Sequence, residues 1–68
     1  MHYGKVKMWD DSKGFGFIIT EDEEELFVHV SDLDISVKEK RLKVGQRVAF
    51  DIRHEFKGDK AINVRVLR

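Results

Sequence analysis

The chain has 68 residues and no cysteine, and its thirteen basic residues balance thirteen acidic ones. This length predicts one domain with one small core over residues 1–68, and the lack of cysteine excludes a disulfide framework and a thiolate metal site. The neutral total charge points to no particular partner, but acids without Lys or Arg run from Glu21 to Asp34, and basic residues dominate from Ile35 to Arg47.

Short runs that alternate polar and apolar residues predict strands, and no stretch has helical periodicity of useful length. Five short strands favour an all-β barrel, because a flat sheet of this size would leave its edges unprotected. A single helical turn is predicted at 31–33 with Ser31 as its N-cap. Residues 34–46 form a long charged loop, which predicts a functional or mobile segment. The predicted strands are 3–9, 15–20, 25–30, 47–55 and 60–67.

The second and third predicted strands each have two apolar faces, and a barrel has one interior. Ile18 and Val28 are the natural core residues, so the side chains that alternate with them point outward. Clustered exposed rings mark an interaction site, because their burial would be favourable by roughly 1.5–3 kcal/mol each. The opposite assignment leaves Gly16 unexplained and exposes Ile18 and Val28. The outward set is Phe15, Phe17, Phe27 and His29.

A flat group of rings flanked by Lys7 and Lys13 suits single-stranded nucleic acid. Bases stack on aromatic faces for roughly 1–3 kcal/mol each with little sequence preference, and lysines neutralise phosphates. Because a duplex hides its base faces, the predicted ligand is a single strand.

The same residues carry a resemblance to the cold-shock domain proteins of bacteria. Residues 13–18, Lys-Gly-Phe-Gly-Phe-Ile, match that family's first ribonucleoprotein motif, and residues 26–30, Leu-Phe-Val-His-Val, resemble its second. Residues 4–7, 44–48 and 61–64 are similar to its opening strand and closing half, so the resemblance covers nearly the whole chain. It implies a five-stranded antiparallel oligonucleotide-binding (OB-fold) barrel that binds single-stranded RNA or DNA and acts as an RNA chaperone or regulator.

The resemblance also implies which residues contact the ligand. Where the family usually has Trp-Phe the chain has Met8-Trp9, Val30 replaces a usual Phe, and residues 34–46 lack the usual stacking aromatic. The predicted stacking surface is therefore smaller than is usual in the family. The implied contacts are Lys7, Lys13, Phe15, Phe17, Phe27 and His29, with weaker candidates at Met8, Glu25, Val30 and Lys57.

Alternation and resemblance disagree about Met8 and Trp9. Strict alternation places Val6 and Met8 inward and Lys7 and Trp9 outward, whereas the resemblance assigns the ligand-facing position to Met8. A bulge near the strand end would reconcile the two. We favour Trp9 at the rim of the rings and include it among the predicted binding residues.

Three other interpretations of the chain are an RNA-recognition-motif domain, a barrel that binds a protein, and an enzyme. An RNA-recognition-motif domain needs a strand and a helix before residues 13–18, and twelve residues are too few for them. A small barrel that binds a protein through the same rings stays open, and such binding would survive high salt and resist competition by oligonucleotide. An enzyme is not expected, because His29 near Glu25 has no nucleophile or ligand set beside it.

No cofactor, metal or small-molecule substrate is predicted, since His2 and His54 have no companion ligands. No membrane partner is expected, because no apolar run approaches the roughly 18 residues of a membrane span. The N-terminus has no signal-peptide architecture, so the expected location is the cytoplasm. A monomer is expected, and a dimer, a strand swap, the preferred sugar and a cold-stress response stay open.

Overall fold

The computed structural model describes residues 1–67, and Arg68, the last residue of the predicted domain, lies outside them. The described residues contain no α-helix, and none of them forms a helix long and apolar enough to cross a membrane. Five strands close into a barrel, as alternation predicted. The strands are β1 (His2–Asp10), β2 (Phe15–Thr20), β3 (Glu25–His29), β4 (Arg47–Glu55) and β5 (Gly58–Val66).

The order of strands around the barrel is β1-β2-β3-β5-β4, and the pairing is mixed. Every neighbouring pair is antiparallel except β3 and β5, which run parallel and meet at Phe27 and Lys60. The prediction of a purely antiparallel barrel is therefore wrong. The reason is parity: strand directions cannot alternate all the way around a closed ring with an odd number of strands. The mixed five-stranded barrel is consistent with an OB-fold.

The core follows the alternation of β2 and β3. Ile18 and Val28 have 0 % exposed surface, which confirms that they belong to the interior. Apolar residues from every strand and from the connection between β3 and β4 surround them. The core cluster consists of Val6, Ile18, Leu26, Val28, Leu33, Val37, Leu42, Val48, Phe50, Ala61 and Val64.

Strict alternation fails in β5, where the pairing with β4 shifts register. Ala61 and Val64 are both buried although they are three residues apart. Asn63 makes this possible, because its φ of +50° puts an extra residue in the left-handed region between them. Its side-chain amide donates a hydrogen bond of 3.1 Å to a carboxylate oxygen of Asp51 on β4. Because of the bulge, Ala61 before it and Val64 after it both point into the core.

The long charged segment 34–46 is anchored by apolar residues, because Val37 and Leu42 are buried in the core. Asp34 fixes its start: the backbone N–H of Asp34 donates to the carbonyl of Val64. The Asp34 carboxylate accepts from the hydroxyl and backbone N–H of Ser36 at 2.6 and 3.0 Å, and these bonds lower its pKa. The predicted loop is therefore attached to the barrel at Asp34, Val37 and Leu42.

We expect Ile18→Ala to lower the free energy of unfolding by about 2–5 kcal/mol, because truncation leaves a cavity in a closed interior. Ile35→Ala is the matched control: Ile35 is 90 % exposed, and its truncation should change stability by less than about 0.5 kcal/mol. Urea unfolding of both variants measures the difference. Equal losses would contradict the inward orientation of Ile18.

Candidate nucleic-acid interface

Three phenylalanine rings lie together on the outer face of β2 and β3. The register pairs Phe17 directly with Phe27 across the two strands. The centroids of Phe15 and Phe27 are 5.6 Å apart with planes at 29°, and Phe17 meets both rings edge-on at 6.4 and 5.9 Å. These distances are those of favourable aromatic contacts. We call Phe15, Phe17 and Phe27 the ring cluster.

The ring cluster is outside because the other face of each strand fills the core. Phe27 is 37 % exposed, and Phe15 and Phe17 are half-buried. The residues that alternate with the rings, among them Ile18 and Val28, are buried. The outward prediction is confirmed, and the alternative with the rings inside is wrong.

Gly16 separates two of these rings and faces inward, where no side chain fits. A Cβ at this position would collide with the carbonyl oxygen of Met8 and lie 2.9 Å from Cε3 of Trp9. The close approach of β1 to β2 therefore requires glycine, and the indole of Trp9 covers the space that a side chain would occupy.

The bulge in β1 reverses the orientations that alternation predicted for Met8 and Trp9. Val6 pairs with Ile18 and Met8 pairs with Phe17, so Lys7 is the extra residue. Met8, opposite Phe17, is exposed, while Trp9 is half-buried and packs against the core. The inward Met8 and outward Trp9 of strict alternation are therefore wrong. A ligand contact by either residue stays a prediction.

The indole N–H of Trp9 also has a partner. It donates a hydrogen bond of 2.7 Å to Asp11, whose other carboxylate oxygen lies 3.3 Å from Nε of Arg41. The Trp9 side chain is thus held both by packing and by a polar contact at its edge.

The Lys7 ammonium lies 2.9 Å from a carboxylate oxygen of Glu25, the first residue of β3. Both side chains are exposed, and exposed ion pairs contribute little to stability because water screens them. Exchange of Glu25 for a phosphate oxygen would therefore cost little. The structure brings together these two predicted contact residues, and each compensates the charge of the other.

Lys13 is positioned by the turn between β1 and β2. Asp10 accepts hydrogen bonds from the Ser12 hydroxyl at 2.7 Å and the Lys13 backbone N–H at 3.1 Å, and these bonds lower the pKa of Asp10. Gly14 then takes a φ of +70°, which a side chain would disfavour. The turn leaves Lys13 exposed, two residues before the first ring of the cluster.

His29 ends β3 opposite Phe15 and caps a single 3-10 turn at Val30–Asp32. Its Nδ1 accepts a hydrogen bond of 3.1 Å from the backbone N–H of Ser31. The prediction of Ser31 as the N-cap is therefore wrong, because the turn begins one residue earlier and an imidazole acts as the acceptor. Since Nδ1 accepts, the neutral ring carries its proton on Nε2. Val30, a weaker candidate, is half-buried and packs against the core.

A cleft of about 360 Å³ joins the ring cluster to the turn between β4 and β5. Lys57 lines it, so the structure brings this weaker candidate next to Phe27. Lys60 also lies there, and its ammonium is 2.9 Å from Asp32 in a mostly buried ionic contact that is poorly aligned as a hydrogen bond. Lys60 is not among the predicted contact residues, because only the parallel pairing with Phe27 brings it near the rings.

A second cleft of about 390 Å³ lies in the basic segment and is lined by Lys38, Arg41 and Lys43 among others. Arg41 is already paired there, with Asp11 at 3.3 Å and Glu39 at 3.7 Å. Part of the positive charge of this segment is therefore balanced within the protein.

Together, the closed barrel and the outward ring cluster define a small β-barrel with an exposed aromatic face. Residues 2–67 match the family model described as the 'Cold-shock' DNA-binding domain. The chain therefore belongs to the cold-shock domain family, as its motifs suggested.

Three relatives illustrate the match. The chain is 42 % identical over 64 residues to the major cold shock protein of Streptococcus pyogenes (serotype M6), with 94 % of each chain covered. It is 48 % identical over 61 residues to the cold shock-like protein CspB of Bacillus cereus, which covers 90 % of this chain and 92 % of the relative. It is 45 % identical over 65 residues to a cold shock-like protein of Aquifex aeolicus, with coverage of 94 % and 91 %.

We expect Trp9→Ala to lower the free energy of unfolding by about 1–3 kcal/mol, less than the loss for a fully buried aromatic residue. Met8→Ala is the control, because Met8 lies outside and should lose little. Thermal melting of both variants checks this. A larger loss for Met8→Ala would contradict the bulged register.

Proposed function

We propose that this protein binds single-stranded RNA or DNA by stacking bases on the ring cluster, and that it acts as an RNA chaperone or regulator. The observation that carries the proposal is the cluster itself: three rings in mutual contact on the outside of the barrel. The planes of Phe15 and Phe27 differ by only 29° and Phe17 stands edge-on to both, so the cluster offers apolar ring surface on which bases can stack. Because stacking needs little sequence information, such a site suits transient binding to many strands.

The charges around the ring cluster support the same ligand. Lys7, Lys13 and Lys57 surround the rings with exposed ammonium groups that can contact phosphates. His29 and the exposed Met8 extend the surface next to Phe15 and Phe17. We keep Trp9 among the proposed contact residues and Glu25 as a weaker one, although Trp9 packs against the core and Glu25 pairs with Lys7 in the free protein.

We propose binding without catalysis. The Nδ1 of His29 lies 2.8 Å from the Ser31 hydroxyl, which superficially resembles a base beside a nucleophile. The backbone N–H of Ser31 donates to the same nitrogen, so the imidazole caps the 3-10 turn. No carboxylate is among the hydrogen-bond partners of His29 in residues 1–67, and a Ser–His pair needs a third group to orient the base.

A short pyrimidine-rich single strand should bind, and the matched duplex should bind at least about tenfold more weakly, because stacking needs free base faces. Anisotropy of a labelled oligonucleotide measures both affinities. Equal affinity for the duplex would contradict binding by base stacking. Binding of a protein partner that survives high salt and is not displaced by oligonucleotide would favour a protein-interaction role instead.

Phe15→Ala, Phe17→Ala and Phe27→Ala should each weaken binding by about 1–3 kcal/mol. Stability should change less than for a core phenylalanine, where truncation costs about 3–5 kcal/mol. Phe50→Ala is the matched control: Phe50 is buried, so its truncation should mainly lower the free energy of unfolding. Melting and titration of the four variants separate the effects. Intact affinity in all three surface variants would exclude the ring cluster as the binding site.

Log affinity should fall shallowly with log salt, with a slope near −2 if about three phosphates are neutralised at about 0.7 each. Few exposed lysines surround the rings, and acidic residues balance the total charge. Titrations at several salt concentrations measure the slope. A much steeper slope would make the basic segment from Lys38 to Arg47 a principal binding surface.

A further inference from the structure

Phe56 is the most exposed large apolar side chain of the described residues, at 107 % relative accessibility. It occupies the turn that joins β4 to β5. A turn needs no aromatic residue, and an exposed ring is unfavourable in water unless a partner covers it. Neither the family motifs nor the alternation of the strands explains this side chain.

The turn that carries Phe56 is connected to the ring cluster. The cleft of about 360 Å³ begins at Phe27 and is otherwise lined by residues of this hairpin, Glu55, Lys57, Gly58, Asp59 and Lys60. Lys60 pairs with Phe27 across the parallel strands, and the turn lies three residues away. At the rise of an extended strand, Phe56 is thus about 10 Å along the hairpin from the level of Phe27.

The charges along this path suit a phosphate backbone. Asp59 is hydrogen-bonded to Nδ1 of His54 at 2.8 Å, and Lys60 is paired with Asp32. Lys57, beside Phe56, makes no ion pair among the described residues. Within residues 1–67, neither acid of the cleft has a Lys or Arg at ion-pair distance: Glu55 has no ion-pair partner and Asp59 contacts His54. The cation nearest the exposed ring in sequence is therefore available for a phosphate.

We propose that Phe56 is an additional stacking site, which holds a base of the same single strand beyond the base on Phe27, with Lys57 on the phosphate between them. This inference rests on the proposed function and extends its site along the β4–β5 hairpin. Phe56 is also the one Phe, Tyr or Trp of residues 1–67 that lies outside the five strands. The cleft runs from Phe27 to Lys57, the chain neighbour of Phe56, and so gives a strand a path from the ring cluster towards the exposed ring.

The test compares two lengths of oligothymidylate, about three and about eight nucleotides, the longer within the range that one OB barrel covers. Phe56→Ala should weaken binding of the longer strand by about tenfold and leave the shorter strand unchanged, because the short strand occupies the ring cluster alone. Phe56→Leu should lose as much as Phe56→Ala, and Phe56→Trp should keep the affinity, since stacking requires a ring.

Val44→Ala is the matched control, because Val44 is an exposed apolar residue before the opposite end of β4. It should leave both affinities unchanged. Phe27→Ala should weaken both lengths, and its failure to do so would count against the proposed function and not against Phe56 alone.

Equal binding of the longer strand by Phe56→Ala and the unchanged protein would overturn the proposal, as would full affinity in Phe56→Leu or an equal loss in Val44→Ala. Sedimentation at several concentrations completes the test. A dimer that Phe56→Ala dissociates would assign the ring to contact with a second copy, and would also overturn the proposal.

Discussion

The interior of a five-stranded barrel accepts one apolar face from each strand, and this constraint decides where the aromatic rings lie. Ile18 and Val28 have no exposed surface, and with them inside, the side chains that alternate with them must be outside. The outward position of the ring cluster thus follows from the packing of the core. In β2 and β3, aliphatic residues occupy the inward positions and leave the outward ones to the rings.

The bulge at Lys7 also helps to decide which side chains lie on the outer face with the rings. One extra residue in β1 moves Met8 to the side of Phe17 and turns Trp9 towards Gly16, where the absence of a side chain leaves room for the indole. Lys7 itself then lies within reach of Glu25 at the start of β3. A single irregularity therefore places a cation beside the rings, an exposed thioether on their face and a tryptophan under their edge.

Period-two alternation was sufficient to predict five strands, the buried positions of Ile18 and Val28, and the outward rings. Alternation alone could not locate the bulges at Lys7 and Asn63, because a bulge depends on tertiary pairing; only the conflict at Met8 and Trp9 pointed to one near the end of the first strand. The parallel pair could have been predicted, since a closed barrel with an odd number of strands requires at least one. The sequence also left Phe56 as an ordinary turn residue, because the cleft that links its hairpin to Phe27 arises only when β5 pairs with β3.

The polar composition of segment 34–46 also concealed the two residues that anchor it in the core. Its basic residues, three Lys and one Arg, hide Val37 and Leu42, which are separated by polar neighbours and lack any periodicity, yet both are buried. Their burial draws the basic side chains close to the barrel, where Arg41 meets Asp11.

Asp11 is shared between two parts of the chain that are far apart in sequence. One of its oxygens accepts from the Trp9 indole, and the other lies beside Arg41 of the long segment. Detachment of that segment would remove the guanidinium and leave the carboxylate charge facing the indole alone. Trp9 is the chain's single tryptophan, so its indole emission would report any change at the contact between Asp11 and Arg41.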